Sequence, residues 1–226
     1  MIDTIKDRIK KQDRMMNFYY SIRFVFFGNK KRIAGDNNRI IYQNALLKKV
    51  TFDIKGENNT IEFGESASII ECNVQIRGNN HVLKIGDRTV FYKCWFKFED
   101  HNCSIVVGDE TKMYEYGEIS AVEPYSAVEI GKNCLFSTNI DIRNTDSHSI
   151  LDAETGKRIN PGKNVFIGDR VWIGAYAGIL KGVTIGNNSI IGIKSLVTKD
   201  VPSHSIVAGV PARVIKTNID WCEERI

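Results

Sequence analysis

The chain has no C-x-x-C pair, no block of like charge and no apolar run long enough to cross a bilayer. Each absence removes a class of protein. The five cysteines (Cys72, Cys94, Cys103, Cys134 and Cys222) are odd in number and scattered, which argues against a disulfide framework and a zinc site. A reducing cytosol is the expected compartment. Basic residues number 31 against 27 acidic, so the net charge is only +4, with both signs intermingled. That is too mild for nucleic-acid binding but suits attraction of a phosphorylated ligand. With 42% hydrophobic and 26% charged residues, neither disorder nor a collagen-like fibre fits, and 226 residues suit one elongated domain or a domain with a short appendage.

Residues 1–32 stand apart. Ile2, Ile5 and Ile9 fall at helical spacing in a charge-rich stretch, and an apolar-aromatic run interrupted by Arg23 follows from Phe18 to Phe27. The run is too short for a bilayer span, and no small-residue cleavage site follows it. The pattern predicts a short helical segment covering the end of the domain. A sharper alternative is an interfacial segment, residues 15–27, holding a cytoplasmic protein weakly at the inner face of the membrane.

Behind this segment the chain repeats. From Ile167 it divides without a gap into IGDRVW, IGAYAG, ILKGVT, IGNNSI, IGIKSL and VTKDVP. Each block opens on an aliphatic residue, glycine follows in four of them (Gly168, Gly174, Gly186, Gly192), and the fifth position is small or β-branched. Three hexads make one 18-residue triangular coil, with the aliphatic position inside the prism and the fifth sharing the interior near a corner. Glycine is expected to relax the turn. No heptad or 3.6-residue period explains the pattern. Looser copies lie upstream: Ile54–Gly64 resembles Ile76–Gly86, and the glycine steps through Gly64, Gly86, Gly108 and Gly131 are 22, 22 and 23 residues. Asn58, Asn59, Asn79 and Asn80 recur at one place and predict corners, since asparagine tolerates left-handed turns. The reading is all-β: a left-handed parallel β-helix over residues 33–205 with no internal domain boundary, and a tail at 206–226.

One stretch breaks the rhythm. Residues 143–163 lose the hexads, are polar, and contain Gly156, Pro161 and Gly162, which predicts a projecting loop. Long irregular loops on repetitive scaffolds are usually functional. This one carries His148, whose imidazole can take an alcohol proton near neutrality and return it to a thiolate. On composition alone, a solvated loop histidine is the plainer alternative. His81, His101 and His204 fall at repeat or tail positions. Trp172 points outward in its hexad, where a solenoid gains little from a large aromatic. Lys163, Lys181 and Lys199, spaced 18 and 18, predict a column of like charges about 5 Å apart that a bound pyrophosphate or 3′-phosphate would relieve. A solvated charged edge is the equal alternative.

These residues carry a resemblance. The hexads, Asn144-Thr-Asp-Ser-His148, Val171-Trp-Ile-Gly174 and Val207-Ala-Gly-Val-Pro-Ala-Arg213 resemble the hexapeptide-repeat acyltransferases, with sugar O-acetyltransferases nearest. Ile142–His148 followed by Gly156-Lys-Arg-Ile-Asn160 is similar to bacterial capsular polysaccharide O-acetyltransferases, including those acting on polysialic acid. The match is strong over 128–216, one of style over 33–127, and absent over 1–32. It implies transfer of acetyl from acetyl-CoA to a sugar hydroxyl of a capsule or O-antigen, without an acyl-enzyme, by a homotrimer with grooves between neighbouring prisms. His148 would be the base, and backbone N–H groups would stabilise the oxyanion.

The resemblance also sets Trp172 in the catalytic groove beside the pantetheine arm and the Ala175 N–H toward the thioester oxygen, without the serine some relatives carry there. Glu118, in Tyr116-Gly-Glu-Ile119, and Asn144 would contact the acceptor. Ile193, Thr198, Arg213 and Lys216 would join Lys181 and Lys199 on CoA. Gly192-Ile-Lys194 replaces a Gly-Ala-Gly of relatives, which alters the adenine end. No metal is expected: a γ-type carbonic anhydrase needs three histidines converging on zinc, and the gaps of 20 and 47 residues between His81, His101 and His148 share no coil phase. N-acetylation of an amino sugar and a non-catalytic scaffold remain as alternatives.

Overall fold

A computed structural model describes residues 27–42 and 44–226. Among these residues there is no helix, and 22 strands wind into a parallel solenoid of about eight turns. No helix of the described residues is long and apolar enough to cross a membrane. The helical reading of residues 1–26 lies outside the described residues, as does the membrane reading of 15–27 except for Phe27. From Lys30 the segment is already strand, because Lys30–Ala34 pairs in parallel with Thr51–Lys55.

The prism has three faces. The first stacks Lys30–Ala34, Thr51–Lys55, Asn73–Arg77 and Cys94–Phe98, then the later halves of Lys112–Ala121 and Leu135–Arg143, then Gly178–Ile179 and Leu196–Val197. The second runs from Arg39–Ile41 to Thr184–Ile185, and a bridge to Val201 closes it. The third runs from Leu46–Lys48 through Trp172–Ile173 and Ile190–Ile191 to Ser205–Gly209. That last strand crosses the boundary read at 205/206, and Ala212–Thr217 folds back on it antiparallel.

Coil length decides what fills the prism. Upstream partners are 22 residues apart, as in Thr51 with Asn73, and those in the hexads 18 apart, as in Phe166 with Thr184. The roomier coils bury Phe52, Phe91, Phe96 and Phe98 completely, whereas the tighter ones hold Val171, Ile173, Ala177, Ile179, Ser189 and Ser195. Both stack because a parallel ladder fixes only the rung spacing, and the extra residues lengthen the faces: Thr51–Lys55 and Thr60–Phe63 run five and four residues where Gly178–Ile179 and Thr184–Ile185 run two.

The corners correct the reason given for the glycines. Left-handed backbone falls on the fourth hexad residue: Arg170 (φ 53°), Tyr176 (61°), Asn188 (56°) and Lys194 (56°). The glycines serve close stacking instead, since a Cβ on Gly168 would sit 2.2 Å from Asn187 Oδ1 and one on Gly174 2.8 Å from the Ile193 nitrogen. Upstream, Asn58 and Asn80 do take left-handed turns, both at φ 58°.

Candidate active site

The projecting loop leaves the prism at the corner between the first and second faces and is pinned at both ends. Asn144 is fully buried; its Oδ1 accepts the Val122 N–H at 2.9 Å and its Nδ2 donates to the Val122 carbonyl at 3.0 Å. The amide is thus occupied by the preceding coil, which corrects the acceptor-contacting role read for Asn144: it anchors the loop. Beside it, the Glu123 carboxylate accepts from the Thr145 hydroxyl, from both terminal nitrogens of Arg158 (3.0 and 2.6 Å) and from the Gly162 N–H (2.8 Å). Burial pushes this carboxyl up, but hydrogen bonds from Arg158, Thr145 and Gly162, with the charge of Arg158, outweigh it and hold it below the usual range.

A second clamp holds the stretch around His148. Asn160 is nearly buried; its Nδ2 donates to the His148 carbonyl and to Asp146 Oδ2, both at 2.8 Å, and its Oδ1 accepts the Ile150 N–H. The His148 N–H donates to the Asp146 carbonyl at 2.8 Å. Lys181 Nζ donates to the Asp146 carboxylate and to the Asn160 carbonyl. His148 itself is exposed, so its main chain is fixed while its ring faces solvent.

This clamp alters the lysine column. Lys181 turns to Asp146, and the stem of Lys163 lies over Gly182, whose added Cβ would meet Lys163 Cδ at 2.9 Å. Lys199 is joined instead by Arg213, and both line a cavity of about 190 Å³ with Asp200 and Val214. Thr198 and Lys216 are exposed, Lys216 on the Ala212–Thr217 strand that flanks this end.

A different corner, between the third and first faces, carries Ala175 and Ile193. The Tyr176 N–H donates to the Thr138 carbonyl and the Lys194 N–H to the Ala175 carbonyl, while no acceptor among the described residues takes the N–H of Ala175. Ile193 is exposed. Trp172 is 40% exposed on the third face, and Trp221 from the C-terminal segment packs against it with ring centres 6.1 Å apart. Trp221 is fixed by its Nε1–H, which donates to the Arg170 carbonyl at 2.7 Å, and Lys112 pairs with Glu223 at 2.8 Å. On the first-face side of the same corner, Glu118 lines an open groove of about 530 Å³. Among the described residues, no group of three or more His, Cys, Asp or Glu is placed to hold a metal ion.

Comparison with known proteins agrees with this architecture. Residues 164–199 match the bacterial transferase hexapeptide (six repeats) family. The polysialic acid O-acetyltransferase of Escherichia coli O1:K1 / APEC is 39% identical over 94 residues, covering 42% of this chain and 31% of that protein. That of Neisseria meningitidis is 36% identical over 106 residues, covering 46% and 49%. In sequence, then, the chain spans about a third to a half of the length of these curated relatives. Structurally the likeness is longer. The crystal structure of the polySia specific acetyltransferase NeuO superposes with a TM-score of 0.81 at 30% identity, covering 87% of this chain and 90% of the other. That of the polysialic acid O-acetyltransferase OatWY gives 0.80 at 33%, covering 88% and 92%.

The chain belongs to the hexapeptide-repeat transferases.

Within this transferase fold the residues singled out from sequence fall into separate groups. His148 and Lys181 lie at the loop corner, joined through Asp146 and Asn160, and Lys199 and Arg213 share a cavity. Ala175, Ile193 and Trp172 lie around another corner, one prism face away, and Glu118 sits in the groove beside it. Glu123, Asn160 and Trp221 were not read as site residues. Asn160 lay in the run similar to capsule enzymes, Glu123 stands one coil before the loop, and Trp221 is a lone aromatic in a polar tail.

Proposed function

We propose that the chain is an acetyl-CoA-dependent O-acetyltransferase that modifies a sugar hydroxyl of a bacterial surface polysaccharide, with His148 as general base. The observation carrying this reading is an exposed histidine on a projecting loop whose main chain is clamped by Asn160 and tied to the scaffold by Glu123 and Lys181. The likeness to polysialic acid O-acetyltransferases over most of the chain supports the reaction class.

In the proposed reaction a neutral ring nitrogen of His148 takes the acceptor O–H proton as the oxygen attacks the thioester carbonyl. The tetrahedral oxyanion faces the free N–H of Ala175. Collapse breaks the C–S bond, and the imidazolium returns its proton to the departing thiolate. Lys199 and Arg213 would hold the phosphates of CoA, with Thr198 and Lys216 alongside, and Ile193 and Trp172 of the neighbouring prism would pack along its pantetheine arm. Glu118 would meet the acceptor. No step calls for a metal.

The same layout supports a homotrimer. His148 and Ala175 lie at different corners of one prism, so a groove between neighbouring prisms would let the loop of one chain face the Ala175 corner of the next.

The test is His148→Ala. Its fold and acetyl-CoA affinity should remain, because neither clamp uses the ring, while turnover should fall roughly 100- to 10,000-fold. His148→Gln should not rescue it, since an amide cannot accept the proton. Acetyl transfer followed by thiol release, corrected for hydrolysis, decides the matter. A variant retaining more than about a tenth of wild-type turnover removes His148 from the role.

A further inference from the structure

The groove beside Glu118 is built along a single row of outward positions on the first face. Asn73, Trp95, Glu118 and Asp141 are register partners on four consecutive coils, and Gly178 follows them. At the rung spacing of a parallel sheet the four span roughly 14 Å, the length of several linked sugar rings. The upper end lies beside the Ala175 corner: the Asp141 N–H donates to the Ala177 carbonyl at 3.1 Å, and Gly178, next in the row, adds no side chain there.

Trp95 is the anomaly in this row. Its indole is 42% exposed, and the prism interior gains nothing from it. A flat apolar face ringed by hydrogen-bonding groups suits a sugar, whose C–H face stacks on an aromatic while its hydroxyls reach carboxylates and amides. Asn73, Glu118 and Asp141 supply those groups.

The charges select among sugars. Two cations line the groove, and both are engaged. Lys93 Nζ lies 2.9 Å from Glu115 Oε1 and 3.2 Å from the Tyr116 hydroxyl, over the rings of Tyr116 and Tyr92. Arg143 is forked onto Asp141, with Nε 3.0 Å from Oδ1. Against them the lining includes three carboxylates: Asp141 on Arg143, Glu71 on Lys49 at 2.9 Å, and Glu118, which accepts the Ser120 hydroxyl at 2.7 Å and has no cation partner among the described residues. A polyanion entering here meets cations already paired and the uncompensated charge of Glu118.

We infer that this groove seats several units of an uncharged glycan across Trp95, delivers its end toward the Ala175 corner, and disfavours a polyanionic chain. The inference rests on the acetyltransferase reading and narrows its acceptor class. It separates this chain from relatives whose names specify polysialic acid.

The test uses the full chain with four probes: maltotetraose, a galactose tetramer, chitotetraose and a sialic acid tetramer, by calorimetry and indole fluorescence. At least one neutral tetramer should bind roughly ten-fold or more tightly than its monosaccharide and more tightly than the sialic acid tetramer. Trp95→Ala should remove most of that gain, Trp95→Phe should keep much of it, and neither should change acetyl-CoA affinity or subunit association. Preference for the sialic acid tetramer, binding of none of the neutral probes, indifference to Trp95→Ala, or dissociation of subunits in that variant would each overturn the inference. His148→Ala, assayed alongside, should still bind the neutral tetramer. If glycan binds through Trp95 but no acetyl is transferred by the wild type, the groove stands and the enzymatic reading falls.

Discussion

His81 occupies the inward corner position that asparagine holds one and two coils earlier. Asn38 Oδ1 accepts the Asn59 N–H, Asn59 Oδ1 accepts the His81 N–H at 2.9 Å, and His81 Nδ1 accepts the Cys103 N–H at 3.2 Å. An accepting Nδ1 leaves the proton on Nε2, which is buried and has no partner among the described residues. Burial pushes the imidazole below its usual range and outweighs the backbone groups of Asp100, Arg77 and Cys103, which raise it. A histidine depressed in the fold stabilises fully above the ordinary value of about 6.5 and loses that contribution as pH falls toward its folded value. Protonation would also cost the Cys103 bond. His81→Asn should keep the ladder, because an amide oxygen can accept at the same place, and should flatten the fall in melting temperature between about pH 7 and 5. Identical pH profiles for the two proteins would show that His81 does not titrate in that window.

The projecting loop is the element on which the proposed site depends, and two of its latches, Glu123 with Arg158 and Asp146 with Lys181, are ionic. Glu123 has a depressed carboxyl, so its contribution is present above the ordinary glutamate value of about 4.3 and disappears as pH falls through the folded value. Glu123→Gln removes the charge that Arg158 and Gly162 converge on. Turnover should fall roughly ten- to a hundred-fold through misplacement of His148, with the Michaelis constant for acetyl-CoA unchanged and the acid limb of the rate profile altered. A stability loss with unchanged turnover per folded molecule would make Glu123 merely structural.

Two of the three lysines of the supposed column separate in the same way. Lys181→Met should lower turnover and leave CoA binding intact, because Lys181 latches Asp146. Lys199→Glu should weaken CoA binding by roughly 1–3 kcal/mol with little effect on stability. Calorimetric titration with CoA decides both, and the reverse pattern would return Lys181 to the phosphate site. The 18-residue spacing was legible in sequence, but register says only which residues share a corner. Where a long side chain points depends on what the neighbouring loop offers.

At the scale of the whole molecule, the corner carrying His148 and Lys181 and the corner carrying Ala175 and Ile193 are separated by a prism face. A rigid solenoid cannot fold one onto the other. Light scattering should therefore report about three times the 25.6 kDa chain mass. A stable monomer with full acetyl-CoA turnover would remove the shared-site geometry. The C-terminal segment belongs to this scale too, since Trp221 reaches back to Trp172 and Glu223 to Lys112, contacts that no repeat announces.

By itself the sequence determined the prism. A hexad with one inward aliphatic and one small corner residue has a single way to bury its apolar side when stacked, so period alone dictates coil length, face and rung. It also marked the loop, because the period stops there. The tertiary structure decided which polar residues of that loop are anchors and which are free. Asn144 and His148 stand in one short motif, yet the amide is sealed against Val122 while the imidazole is left to solvent. It likewise decided why the hexad glycines are glycine, through the closeness of the next coil rather than backbone twist. Such outcomes depend on atoms one coil away, 18 to 37 residues along the chain, and a local pattern carries no record of them.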